Sequence, residues 1–212
     1  MRSDLTDVTV VLDRSGSMAS CRQEAENGVN HFVDDQKKQE GDCVFSLVQF
    51  DNEYEFVHRA VAIGDVPKFS LVPRGMTALL DAVGRAINET GERLSKTPED
   101  DRPGLVVFVI LTDGLENASH EFTKQQIKDM IQRQRDEHQW QFTFLGANQD
   151  AFAEAAGLGI AKDAAACFAT KSSEEALTCG SANVTRMRKA TRYGQQVNCA
   201  YSNDERSAMR GG

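Results

Sequence analysis

Short apolar runs alternate along this chain with longer stretches whose apolar positions recur every three or four residues. Residues 8–12, Val-Thr-Val-Val-Leu, are β-rich and apolar, end at Asp13, and predict a buried central strand. The polar turn Ser15-Gly16-Ser17 follows, and Ala25, Val29, Phe32 and Val33 then mark one face of a helix that ends before Gly41. Residues 43–50 predict a second buried strand and 53–60 a third, joined to it through the Asp51-Asn52 turn. Residues 61–76 are irregular, punctuated by Pro67, Pro73 and Gly75. A stripe of Leu79, Val83, Ala86, Ile87 and Leu94 predicts a helix over 78–95, and 97–104 is a charged loop.

The strongest strand pattern is 105–111, which stops at Thr112-Asp113-Gly114. Thr123-Lys124-Gln125-Gln126 fits a capping box, opening a helix that turns Ile127, Met130 and Ile131 inward. Residues 140–146 predict a fifth strand and 151–156 a short helix. Gly157-Leu158-Gly159 reads as that helix's C-cap, and 160–170 as the place of an edge strand. Residues 172–192 read as a polar helix despite Gly180, with Leu177, Val184 and Met187 as a weak apolar stripe; little after Tyr193 looks able to pack. The organisation expected is one domain over 1–170, followed over 171–212 by a helical extension and a flexible tail.

Strands alternating with amphipathic helices predict an α/β fold: a central, mostly parallel sheet with helices on both faces. Ligands of such folds bind at the carboxyl ends of the strands, near the point where strand order reverses. That directs attention to the loops after Leu12, before Ala78 and after Leu111. They carry Asp13-Arg14-Ser15-Gly16-Ser17, Gly75-Met76-Thr77 and Thr112-Asp113-Gly114. From Asp13, Ser15, Ser17, Thr77 and Asp113 they offer two carboxylates and three hydroxyls, with no soft ligand among them. Hard oxygen donors of this kind suit Mg²⁺, with Mn²⁺ or Ca²⁺ able to substitute. Each residue alone has a simpler reading. Ser15 or Ser17 can cap the first helix, Thr77 the second, and Asp113 can form an Asx turn with Gly114. Their coincidence at one edge of one sheet favours the metal.

Asp13-Arg14-Ser15-Gly16-Ser17 resembles the DxSxS motif of von Willebrand factor type A (VWA) domains. Thr77, within Arg74-Gly75-Met76-Thr77-Ala78-Leu79-Leu80-Asp81-Ala82, resembles the threonine of the family's second metal loop, and Leu111-Thr112-Asp113-Gly114 its third. The resemblance runs from about Asp7 to Gly146. It implies a Rossmann-like VWA fold with a metal ion-dependent adhesion site, in which Ser15, Ser17 and Thr77 bind the cation directly. Asp13 and Asp113 would act through water. It implies, too, that the protein binds rather than catalyses: a protein partner offers a Glu or Asp to complete the coordination. Arg14 and Arg74 flank the site and are candidates to steer that carboxylate, unless they are solvated surface residues.

Composition narrows the alternatives. The 212 residues suit a single α/β domain, and a net charge of -8 argues against nucleic acid or membrane surfaces as partners. Five cysteines, an odd number with no C-x-x-C spacing, indicate free thiols rather than a zinc site or a disulfide framework. With no apolar leader at the N-terminus, a cytoplasmic protein is expected. The main rival is a metal-dependent hydrolase or phosphatase on a related fold. Such an enzyme of the haloacid dehalogenase type needs a second Asp two residues after the first, where this chain has Ser15. The four histidines, His31, His58, His120 and His138, lie outside the three loops, and there is no G-x-S-x-G elbow.

Overall fold

The computed structural model describes residues 1–147 and 150–211. Six strands form one sheet: β1 (Arg2–Asp13), β2 (Asp42–Phe50), β3 (Tyr54–Ala62), β4 (Pro103–Thr112), β5 (Gln141–Gly146) and β6 (Ala165–Cys167). Their order is β3-β2-β1-β4-β5-β6, and every neighbouring pair is parallel except the β2–β3 hairpin. The edge strand expected within 160–170 is β6.

Period-two alternation divides the apolar strands between two cores. Val8, Val10 and Leu12 of β1, with Leu105, Val107, Val109 and Leu111 of β4, face one side. Val11, Val106, Phe108 and Ile110 face the other. On the first side lie α1 (Arg22–Lys37) and α5 (Ser173–Arg192); on the second, α2 (Leu79–Ser95), α3 (Lys124–His138) and α4 (Ala151–Gly157). Strands covered on both faces need near-continuous apolar sequence, as β1 and β4 have. The capping box at Thr123 is present. The Thr123 side chain accepts from the N–H of Gln126, and the Gln126 side chain accepts from the N–H of Thr123. Gly159 follows α4 with φ +79°, as a residue just past a helix end.

The C-terminal region departs from expectation. The boundary drawn at 170/171 is not a boundary in packing, because Ala176, Leu177, Val184 and Met187 of α5 belong to the same core as α1 and β1. Gly28 lets α1 and α5 approach closely, since a Cβ there would come within 2.8 Å of Leu177 Cδ1. Three buried polar side chains pair across this contact: Gln36 Nε2 donates to Ser181 Oγ at 2.9 Å, and the Arg188 guanidinium to Gln36 Oε1 at 2.9 Å. Nor do the residues after Tyr193 form a loose tail. A second capping box, Ser202 with Glu205, opens α6 (Asn203–Met209). Met209 and Tyr201 are buried, and Arg206 donates to the Ala165 carbonyl of β6 at 2.6 Å. Gly212, the last residue of the expected tail, lies outside the described residues. Gly180, which weakened the helix expectation, sits inside α5 against Leu145 and Val109.

Because Leu177 is fully buried in the shared core, Leu177→Ala should destabilise the whole domain by about 2–5 kcal/mol in one cooperative urea transition. A loss below about 1 kcal/mol would indicate a detachable extension.

Candidate metal-binding site

Parallel pairing brings the ends of β1 and β4 side by side, with Leu12 opposite Leu111. The next residues on each strand lock the two ends together. Thr112 Oγ1 donates to Asp13 Oδ2 at 2.6 Å, and the Ser15 N–H donates to Asp13 Oδ1 at 2.7 Å. Ser15 Oγ and Ser17 Oγ are 3.1 Å apart, and Ser17 Oγ donates to Asp113 Oδ1 at 2.7 Å. Gly114 sits at the middle of this arrangement. A Cβ on it would lie 3.1 Å from Thr77 Oγ1 and 3.8 Å from both Asp13 Oδ2 and Ser17 Oγ. Oxygens of all three loops therefore surround one point, and the five residues singled out in the sequence are brought together. Asp13, Ser15 and Thr77 are buried, Asp113 is half-buried and Ser17 is exposed, so the cluster opens to solvent on the Ser17 side.

The simpler readings of these residues do not hold. The Gly16–Cys21 turn and α1 both start without a side-chain cap, so neither Ser15 nor Ser17 serves there. Thr77 does not cap α2. The first N–H groups of that helix go instead to the third loop, Leu80 to Glu116 Oε2 at 2.9 Å and Asp81 to Ser119 Oγ at 3.1 Å. The Gly114 N–H donates to Thr112 Oγ1 at 3.2 Å.

A second layer of contacts fixes the loops to one another. The Gly16 N–H donates to the Gly75 carbonyl at 3.1 Å and the Arg74 N–H to the Arg14 carbonyl at 2.7 Å. Thr77 and Asn117 exchange two hydrogen bonds, Thr77 N–H to Asn117 Oδ1 at 2.9 Å and Asn117 N–H to the Thr77 carbonyl at 3.0 Å. Asn52 Oδ1 accepts from the Met76 N–H at 2.8 Å. Sequence reasoning missed Thr112, Asn117, Glu116 and Asn52. Only Thr112 carried a visible signal, its place at the end of the strongest strand.

The two arginines are spoken for. Arg14 is buried and pairs with Asp51 at 3.3 Å and Glu55 at 2.7 Å; Arg74 pairs with Asp51 at 2.7 Å and with Glu53. They brace the β2–β3 turn: Arg14 is buried there, while Arg74, with 52% of its side chain exposed, is a surface arginine held in ion pairs.

Electrostatics at the cluster run the other way. Burial pushes the Asp13 carboxyl up to about 6; hydrogen bonds from Thr112 and Ser15 oppose this, and the Asp113 charge adds to it. Burial likewise raises Asp113. Among the described residues no ion pair includes either carboxylate. No three His, Cys, Asp or Glu side chains converge there either, so hydroxyls make up the balance of the donor set. Two carboxylates facing each other among neutral hydroxyls, around a point that a methyl group would fill, fit a small hard cation.

The family model for the von Willebrand factor type A domain matches residues 7–181. The chain belongs to this family. The VWA fold is also seen in solved structures. Proximal thread matrix protein 1 from the mussel byssus, with a zinc-occupied MIDAS motif, is 18% identical at a TM-score of 0.61. That alignment covers 88% of this chain and 46% of the byssus protein, so this VWA chain spans about half the length of that relative. A von Willebrand factor type A protein from Catenulispora acidiphila is 16% identical, with a TM-score of 0.59, covering 85% of this chain and 42% of the other. The manganese-loaded TRAP protein of Plasmodium vivax is 12% identical, with a TM-score of 0.56, covering 85% and 74%. No curated protein sequence matches this VWA chain.

Thr112→Val removes the hydroxyl that ties β4 to β1 and leaves the buried Asp13 carboxylate short of a donor. In metal-free buffer it should cost the VWA domain about 1–3 kcal/mol, measured by urea denaturation. An unchanged midpoint would show that this contact does not hold the strand ends.

Proposed function

We propose that this VWA domain is a divalent-cation-dependent protein-binding module. Asp13, Ser15, Ser17, Thr77 and Asp113 hold one cation, Mg²⁺ by donor chemistry with Mn²⁺ or Ca²⁺ able to replace it. The convergence of three loops around Gly114 is the observation that carries the reading. Two relatives described with metal, zinc in the byssus protein and manganese in the Plasmodium vivax protein, support it by analogy. When bound, the cation supplies a positive charge that neutral hydroxyls leave partly unsatisfied, and so an attraction for a partner's Glu or Asp.

The chain's own residues do the remaining work. Ser15 and Thr77 present buried oxygens on loops fixed from both sides, so little reorganisation accompanies binding. Ser17 and Asp113 lie on the open side, where a partner side chain can approach. Binding rather than catalysis is the function proposed. Ser15 stands where a hydrolase of the rival type needs a carboxyl acid, and its hydroxyl faces Ser17. A reducing compartment is part of the same reading, supported by an odd number of cysteines with no C-x-x-C spacing.

Isothermal titration with Mg²⁺ and Mn²⁺ should give one saturable site with an affinity on the order of 10⁻⁴–10⁻³ M, since few formal charges contact the ion. Asp13→Ala should abolish it, and Gly114→Ala, which places a methyl group among the donors, should weaken it strongly. Saturable binding that persists in Asp13→Ala would remove the assignment.

The cation should be dispensable for folding, because the cores form without it. EDTA should therefore lower stability only by ligand linkage, about 2.7 kcal/mol when the metal had stood a hundredfold above its Kd. Loss of the cooperative transition in EDTA would instead mark the site as structural.

A further inference from the structure

Five large hydrophobic side chains are exposed among the described residues: Met1, Val72, Met76, Leu115 and Tyr193. Three of them belong to the loops that build the metal site. Met76 immediately precedes Thr77, Leu115 immediately follows Gly114, and Val72 lies on the segment leading to Arg74 and Gly75. Their relative exposures are 51%, 48% and 66%. Met1, by contrast, adjoins the start of β1, at the opposite end of the sheet from Asp13.

These side chains are not on loose loops. Met76 is held through its N–H by Asn52, and its neighbour Thr77 is bonded twice to Asn117. Leu115 lies between Gly114, whose N–H is bonded to Thr112, and Glu116. The Glu116 carboxylate accepts from the N–H groups of Leu80, Ala118 and Ser119. The Val72 segment is pinned where Arg74 bonds to the Arg14 carbonyl and Gly75 to Gly16. Solvated apolar side chains on a frame this well fixed gain free energy when covered and lose little entropy in being positioned. Apolar groups displayed next to a polar anchoring point are the arrangement of an interface core.

The charges nearby restrict what can cover them. Arg14 and Arg74 are engaged by Asp51, Glu53 and Glu55, so these two guanidinium groups and three carboxylates leave no cationic excess for additional acids on a partner. Glu53 and Glu55 remain exposed in part, with side-chain exposures of 71% and 57%. A run of several acidic residues would meet these carboxylates.

We propose that the partner segment presents a single Glu or Asp flanked by large aliphatic residues, the acid entering the metal site and the aliphatic side chains packing on Met76, Leu115 and Val72. This rests on the metal-dependent reading above and names the chemistry of its partner. Apolar contact would then set specificity, and the carboxylate would set metal dependence.

The test uses blocked peptides with Leu-Glu-Leu, Ser-Glu-Ser, Glu-Glu-Glu or Leu-Gln-Leu at their centre, titrated into the full chain with saturating Mn²⁺ and again in EDTA. Metal affinity is measured separately by calorimetry. The Leu-Glu-Leu peptide should bind about tenfold or more tightly than Ser-Glu-Ser and Glu-Glu-Glu, a gap within reach of one or two partly buried leucines. Leu-Gln-Leu, and Leu-Glu-Leu in EDTA, should not bind. Met76→Ser with Leu115→Ser should remove the preference for leucine while leaving Mn²⁺ affinity unchanged.

Normal Mn²⁺ binding with equal affinity for the three Glu peptides would overturn this inference and leave the metal reading intact. Absence of Mn²⁺ binding would overturn both. If the apolar side chains instead cover a second copy of this chain, wild type should sediment as a dimer and the double variant as a monomer. That result would also overturn the proposal.

Discussion

Parallel pairing of β1 with β2 on one side and β4 on the other governs where everything else can go. β1 runs in register with both neighbours up to Leu12, so three strands end on the same edge of the sheet. Its side chains are covered on both faces, which is why residues 8–12 tolerate almost no polar character. A parallel strand can only be reached by a crossover, and the crossovers here are helices that return below and above the sheet. The connections from β1 to α1 and from β4 to α3, and the segment leading into α2, are therefore delivered to one edge. Thr112 and Asp13, 99 residues apart in sequence, meet there through a hydrogen bond of 2.6 Å.

The edge is then made rigid by groups that would not be suspected of a role in the site. Glu116 substitutes for a capping residue on α2, although it lies on the loop after β4. Its carboxylate also gathers the N–H groups of Ala118 and Ser119, so one side chain ties the third loop to the start of the second helix. Asn117 and Asn52 hold the residues on either side of the Met76–Thr77 peptide. A helix start lacking a local cap is normally a weakness. Here it links two loops that a local cap would leave independent, and it leaves the Thr77 hydroxyl free for the cluster.

Most of the architecture was legible because it depends on periodicity. Residues 8–12 and 105–111 announce buried strands, and the stripes on α1, α2 and α3 announce faces. The five candidate site residues could be singled out because each stands where an apolar strand stops or a helix starts, at the edge where such sheets bind ligands. The C-terminal third was read less well, for a physical reason. α5 is buried by proximity rather than by bulk: Gly28 and Gly180 bring it against α1 and the sheet, and its contact is shared between Leu177, Met187 and the polar pair Gln36 and Arg188. Pattern reading counts large apolar residues and so discounts a helix of that kind. In α6 a legible signal was overlooked, since Ser202 and Glu205 have the same capping-box spacing as Thr123 and Gln126. The pairing of Arg14 and Arg74 was not legible at all. Their partners lie across the sheet edge, on the β2–β3 turn, and neither periodicity nor local spacing brings them together.

Those arginines make the strongest contrast in the molecule. Asp13 and Asp51 are two carboxylates on neighbouring loops, with relative exposures of 0% and 2%. Burying a carboxylate without a counter-charge is costly, and Asp51 avoids the cost with guanidinium groups from both Arg14 and Arg74. Asp13 receives only neutral donors, the Thr112 hydroxyl and the Ser15 N–H, and a second carboxylate, Asp113, stands close enough to raise it further. The same loops thus neutralise one buried acid twice and leave the other with none. Arg14 is the residue directly after Asp13, yet its side chain goes to Asp51 and Glu55 instead. A fold optimised for stability alone has no reason to partition its charges that way. Such a local sacrifice of stability marks a candidate functional position. Here it falls on the carboxylate at the end of the central strand.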